Sequence, residues 1–426
     1  MKMPRVPHRL LTIAAAFAAA MPFAHADSRG FYRYLSAQET RFDFGASYRP
    51  ASRGDTTALP PGNARNPYEL TFGTWSRTAV TLQRPSDHPA ARRAPTLTLQ
   101  IWSPGATFQP AQDLGPAVYA DAQAACPRGM EHVHGSYLAT TAVEDAQRRH
   151  CLPGEGFEVP GIGDIWCRRY DRAGYEASIR RIRAAATSRT IPMSFCMDRY
   201  QFPNREGAAP SVAITWDEAQ ALCSAQQKRL CTEREWTFAC EGNDAWPTSS
   251  PNWHNRHGPR TADGSQQLGC TVAGNVDGTD FLSETRRTPQ DYLDFGILWT
   301  RNAAGRRPAE RTLLAAARTP LAYGFVLASL YGSETNGHAA GCTSPFGVRD
   351  LAGGVDEWTT RVGRTPPGGY DSILKGGYGG GEPVRNRCRP ATGAHGPSFR
   401  YYQIGFRCCV DPRGASAVPA QRGSAP

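Results

Sequence analysis

Apolar and polar positions change period several times along the 426 residues. An aromatic start (Phe31, Tyr32, Tyr34) and two strand-like runs, 68–82 and 96–102, flank loops rich in proline, glycine and arginine. Residues 27–115 therefore read as a β-rich, loosely packed extension. A strand is expected from Cys126 onward, with His132 and His134 on one face, and a basic helix at 175–186. Residues 195–202 (FCMDRYQF) alternate as a strand does, and 212–214 form another short run. Two helices carry stronger marks. Thr215 with Glu218, and Thr232 with Glu235, have the spacing of capping boxes, a hydroxyl three residues ahead of a glutamate. They predict a helix running to about Gln226 with Cys223 on it, and a helix over Glu233–Glu241 bearing Trp236, Phe238 and Cys240. Residues 243–340 read as loop, with a helical stretch at 309–317 and an apolar turn at 321–330. The segment FGVRDLAGGVDEW from Phe346 reads as a turn and a short strand. The rest of the chain is organised around 374–409: a glycine run, an arginine cluster, Cys388, a loop around His395 and a closing strand at 401–409. Adjacent strand residues point to opposite faces, so Cys408 and Cys409 should staple that strand to two different neighbours. The pattern as a whole is α+β, irregular and low in regular secondary structure.

Composition narrows the compartment. Lys2, Arg5 and Arg9 precede an apolar run at 10–23 and the small-residue site Ala24-His25-Ala26, the layout of a cleaved secretory signal over residues 1–26. No cysteine stands at the cleavage point to take a lipid, and no later stretch is long and apolar enough to span a membrane. An exported protein, periplasmic or secreted, is expected. All 12 cysteines follow the leader, which in that setting implies a disulfide framework. There is no CxxC, so zinc is not indicated. The net charge is +10 but comes almost wholly from scattered arginines, with only three lysines (Lys2, Lys228, Lys375). No basic run points to nucleic acid. His132 and His134 could form a metal pair, against the plainer reading of polar residues on a half-exposed strand with no third ligand nearby. The tail at 413–426 is small, polar and expected to be disordered.

Over about 126–412, six ordered motifs carry a resemblance: FCMDRYQFPN, VAITWDEAQALCSAQQKRLCTEREWTFACEG, SPFGVRDLAGGVDEWTTR, LKGGY, RCRPATG and IGFRCC. They resemble the formylglycine-generating-enzyme, or sulfatase-modifying-factor, family. Membership implies a disulfide-rich α+β domain related to C-type lectins. It also implies a copper-dependent oxidase that turns a sulfatase cysteine into formylglycine through two cysteines just after a G-G-S run. Here that run is Gly376-Gly377-Tyr378, the first thiol position falls near Gly381, and no cysteine lies between Cys342 and Cys388. Glycine and arginine cannot build a thiolate copper site, so no copper is expected. The family's disulfides, carried over, pair Cys223 with Cys408 and Cys240 with Cys388. Beyond these, Cys409 is assigned to Cys196, Cys270 to Cys342, and Cys126 to Cys151 or Cys167. The family's calcium region maps onto Asp356 and Glu357, oxygen donors that suit a hard cation, against a Glu357 hydrogen-bonded within the loops. Asn275, Asp277 and Asp280 offer oxygens near the family's other calcium site.

The resulting expectation is a non-catalytic domain that binds a peptide, glycan or protein partner in the family's substrate groove, lined by Arg385, Arg387, His395, Arg400 and Tyr401. The plain alternative for each of these is a side chain satisfying loop carbonyls or carboxylates. A second reading is a non-haem iron or copper oxidase with a rearranged site drawing on His254, His257, His338 and His395. A third is a structural component of an envelope or secreted assembly.

Overall fold

The computed structural model describes residues 30–43, 74–105, 107–158, 165–167, 169–185, 188–253, 341–377, 387–400 and 404–414. The leader, the expected helix at 309–317 and turn at 321–330, Cys270, Asn275, Asp277, Asp280, His254, His257, His338, Arg385, Tyr401 and all but the start of the tail lie outside them.

Alternation in the N-terminal region builds an antiparallel sheet of β1 (Arg33–Asp43), β2 (Thr74–Gln83) and β3 (Thr96–Pro104), in that order. Every second residue of β2 from Ser76 to Leu82 is buried, and Val80 and Leu82 face inward. They do not form a core of their own. Trp75, Val80, Leu82, Leu99, Ile101 and Trp102 share one apolar cluster with Leu222, Trp358 and Phe406 from the C-terminal half. The extension is thus cemented to the domain rather than loosely packed beside it, with a bridge from Trp102 to Val212 at the seam.

After a short turn of helix, α1 (Pro110–Asp113), come β4 (Met130–Leu138), α2 (Ala142–Arg149), the hairpin β5 (Gly156–Glu158) and β6 (Ile165–Cys167), and α3 (Arg172–Ala184). Helix α2, which the periodicity had not marked, buries only Val143, Ala146 and Gln147. Helix α3 starts earlier than expected because the Asp171 carboxylate accepts from the Gly174 amide at 3.1 Å and caps it. Then follow β7 (Thr190–Asp198), α4 (Trp216–Ala225), β8 (Arg229–Leu230) and α5 (Glu233–Glu241). Both capping boxes form as the spacing predicts, Glu218 N to Thr215 Oγ1 and Glu235 N to Thr232 Oγ1 at 3.2 Å each, with both glutamates reaching back.

The C-terminal part adds β9 (Asp356–Thr360), β10 (Ser372–Lys375), β11 (Ala391–Thr392), β12 (Ile404–Phe406) and β13 (Cys408–Val410). The single closing strand expected at 401–409 is therefore two. β12 pairs in parallel with β9, whereas β13 joins the other sheet, antiparallel to β7 and β8. The break is Arg407, whose side chain is fully buried in a bidentate pair with Glu357, Nε to Oε2 at 2.6 Å and Nη2 to Oε1 at 2.7 Å. The two sheets run in the orders β11-β10-β9-β12 and β4-β7-β13-β8.

Disulfides fasten this irregular frame. Cys223–Cys408 and Cys240–Cys388 form as the resemblance implied. Cys408 and Cys409 do face different neighbours, but Cys409 pairs with Cys231, not Cys196. The reason is register: β13 lies between β7 and β8, and its Cys409 side turns toward the start of α5. Cys196 pairs instead with Cys126, which leaves Cys151 to Cys167 across the β5–β6 hairpin. Cys342 is also disulfide-bonded, and no cysteine is free among the described residues. Among those residues no helix is long and apolar enough to cross a membrane.

Candidate functional site

The glycine run leaves β10 directly over α5. Gly376 has φ +94°, and a Cβ there would stand 2.5 Å from the Leu351 carbonyl oxygen and 3.0 Å from the Trp236 ring, so only glycine brings the strand this close. Its neighbour Lys375 is 2 % exposed. The Lys375 ammonium donates to the carbonyls of Arg389 (2.8 Å) and Pro390 (2.9 Å) and sits 5.3 Å above Trp236. Burial pushes its pKa down to about 7. Beside it Arg389 grips Glu241 with two 2.8 Å bonds and gives its other donors to the carbonyls of Thr140 and Leu138. Burial pushes the Glu241 carboxyl up, against the pull of Arg389. With Cys240–Cys388, these contacts tie β10, the end of α5 and residues 387–390 into one block.

Above this block lies a more open face. Arg361 Nε donates to the Tyr370 carbonyl, Ser372 Oγ donates to the His395 carbonyl at 2.6 Å, and the exposed Tyr370 ring lies over Gly396. His395 and Phe399 stack at 4.0 Å with their planes 9° apart. Arg400, half-buried, pairs with Glu218 at 2.9 Å, in the first turn of α4. The face thus offers flat rings and guanidinium groups, chemistry suited to sugar rings, carboxylates or peptide side chains.

The expected groove residues separate. His395 and Arg400 sit together on the loop that packs against the start of α4, where the Asp217 amide meets the Pro397 carbonyl. Arg387 lies elsewhere: it is 3 % exposed and donates to Gln147 Oε1 on α2 at 2.7 Å, so it serves the interior. Tyr370, Lys375 and Glu241 were not singled out by sequence. The one available signal for Lys375 was a lysine just before the glycine run in a chain with three.

Glu357 is engaged by nitrogen donors. It is fully buried, and besides Arg407 it accepts from Gln201 Nε2 at 3.0 Å and Trp236 Nε1 at 2.9 Å. Nitrogen donors hold both oxygens, and among the described residues no group of three or more His, Cys, Asp or Glu could hold a metal ion. Asp356 is half-buried at the start of β9. His132 and His134 do share a face, with ring centroids 4.8 Å apart, and His132 bonds Ser194 Oγ at 3.2 Å.

The profile of the family described as Sulfatase-modifying factor enzyme 1-like domain matches residues 88–412. Among solved structures, the chain is similar to PvdO from Pseudomonas aeruginosa, with 14% identity, 66% of this chain and 94% of that one covered, and a TM-score of 0.33. It is similar to CarF at 10% identity, with 66% and 97% covered and a TM-score of 0.30. The Major Tropism Determinant P3c variant shares 16% identity over 51% of this chain and 50% of its own, with a TM-score of 0.25. No match is found among curated proteins.

Proposed function

Since this chain belongs to the family of sulfatase-modifying factor enzyme 1-like domains, we propose that it is an exported, non-catalytic member that binds a peptide, glycan or protein partner on the face formed by Tyr370, His395, Phe399 and Arg400. One observation carries the reading: no cysteine lies between Cys342 and Cys388, and every described cysteine is held in a disulfide. The described chain offers no thiolate where the family's chemistry needs two. The five disulfides whose two cysteines both lie among the described residues, with the charged leader, support export to an oxidising compartment. The exposed ring of Tyr370, a residue whose carbonyl accepts from Arg361, supports binding, since Tyr and Arg are enriched among the anchors of such surfaces.

The test has two arms on the oxidised full-length protein. Incubation with a cysteine-containing sulfatase peptide, copper and oxygen should give no aldehyde product by mass spectrometry; formation of formylglycine would overturn the reading. An array of glycans and peptides should give binders whose affinity falls roughly tenfold or more in Tyr370→Ala. Binding unchanged in both Tyr370→Ala and His395→Ala would remove this face from consideration.

A further inference from the structure

Away from that face, three side chains from the end of α2 and the first half of α3 stand in line. His150 Nε2 lies 2.8 Å from Ser178 Oγ, and His150 Nδ1 lies 3.5 Å from Asp171 Oδ2. We propose that Ser178, His150 and Asp171 form a serine nucleophile, its general base and the carboxylate that orients that base, acting on small carboxylic esters.

Arg181 Nη2 lies 3.0 Å from Ser178 Oγ, and a guanidinium can only donate, so it occupies one of the two lone pairs of Oγ. In the proposed arrangement the hydroxyl proton goes to His150 Nε2, and the imidazole's own proton, on Nδ1, faces the Asp171 carboxylate, the tautomer a serine nucleophile needs. The backbone makes room for this line. A Cβ on residue 174 would come 2.1 Å from Asp171 Oδ2 and 2.7 Å from His150 Nδ1, so Gly174 is what lets the carboxylate and imidazole meet. The Cys151–Cys167 disulfide, the Asp171 amide bonded to the His150 carbonyl at 2.8 Å, and Tyr175, edge-on to the imidazole at 6.4 Å, fix the end of α2 against the start of α3. Capping of α3 accounts for Asp171 alone. It does not call for a serine two turns further on to meet the far imidazole nitrogen.

In the acylation step Ser178 Oγ bonds to the ester carbonyl carbon while His150 Nε2 takes the hydroxyl proton. The carbon–oxygen bond to the alcohol breaks, and the alcohol leaves with that proton. Arg181 is the cation within reach of the developing oxyanion. Water, deprotonated by His150, then cleaves the acyl-serine, releasing the carboxylic acid and restoring the hydroxyl. No oxidant or reductant is involved. Ser178 is 2 % exposed, so the proposed activity is confined to the smallest esters.

The oxidised full-length protein is treated with a small organofluorophosphonate, and the adduct is mapped by peptide mass spectrometry alongside p-nitrophenyl acetate hydrolysis. One adduct is expected, on Ser178, and ester hydrolysis is lost in Ser178→Ala. The labelling rate should fall about 100-fold in His150→Gln. It should fall roughly tenfold or more in Asp171→Ser, whose hydroxyl still caps α3 but orients no imidazole. Near-UV circular dichroism shows whether each variant is folded; if His150→Gln is not, Asp171→Ser decides. No adduct on Ser178, or a labelling rate in the folded variants equal to that of the parent, overturns the proposal.

Discussion

Two buried ionic side chains carry opposite consequences. Glu357 and Arg407 neutralise each other at zero exposure. Removing one partner strands the other in a low-dielectric interior, so Glu357→Gln should lose roughly 3–5 kcal/mol in urea unfolding. Among the described residues no carboxylate pairs directly with Lys375; two carbonyls and an aromatic face hold it. Its folded pKa is lowered from 10.5 to about 7. Between those values the unfolded chain keeps a proton the native chain has released, so stability should rise with pH from about 7 to about 10, by up to about 1.4 kcal/mol per pH unit. Below 7 the penalty of burying the charge is fully present. A neutral amine still has two N–H groups for its two carbonyls, which is why the site survives the loss of charge. Urea titrations at pH 7, 8 and 9 should show this slope in the parent and a flat profile in Lys375→Met; the same slope in both would assign it to another group.

The capped helices α4 and α5 are where local chemistry and tertiary packing agree. Each is short, 10 and 9 residues, too short to persist alone in water. The boxes set where they start, and burial of Leu222, Cys223, Trp236 and Phe238 holds them. Thr215→Ala should therefore cost about 1 kcal/mol in chemical denaturation and leave near-UV circular dichroism unchanged. The closing segment shows the opposite case. Its residues alternate well enough to suggest one strand, yet β12 and β13 belong to different sheets. Arg407 drops out between them to reach a glutamate 50 positions away, a partner that alternation cannot reveal.

Across the whole molecule, long covalent loops compensate for sparse regular structure. Cys223–Cys408 and Cys240–Cys388 close separations of 185 and 148 residues and clamp both capped helices to the C-terminal strands. Replacing either pair by Ala and Ser should cost roughly 2–5 kcal/mol, seen as a lower melting temperature in calorimetry. Replacing Cys151–Cys167, which closes only 16 residues, should cost less in the entropic account. Equal losses for the short and long loops would mean that strain relief, not chain entropy, sets the effect.

The sequence by itself determined what is encoded locally. The hydroxyl–glutamate spacing placed α4 and α5, alternation placed most of β2 and β3 but only the last four residues of β7, which starts at Thr190 and ends before residues 199–202, and the opposite faces of adjacent strand residues sent Cys408 and Cys409 to different partners. The ordered motifs identified the family that residues 88–412 match. Only the tertiary structure decided which cysteine Cys409 meets, because Cys231 and Cys196 flank the same strand and register alone chooses between them. It also put Arg387 inside against Gln147, gave Glu357 to Arg407, and set Ser178, His150 and Asp171 in line. Those outcomes depend on contacts between residues far apart in the chain or across a turn, and the period of a sequence holds no distance information of that kind.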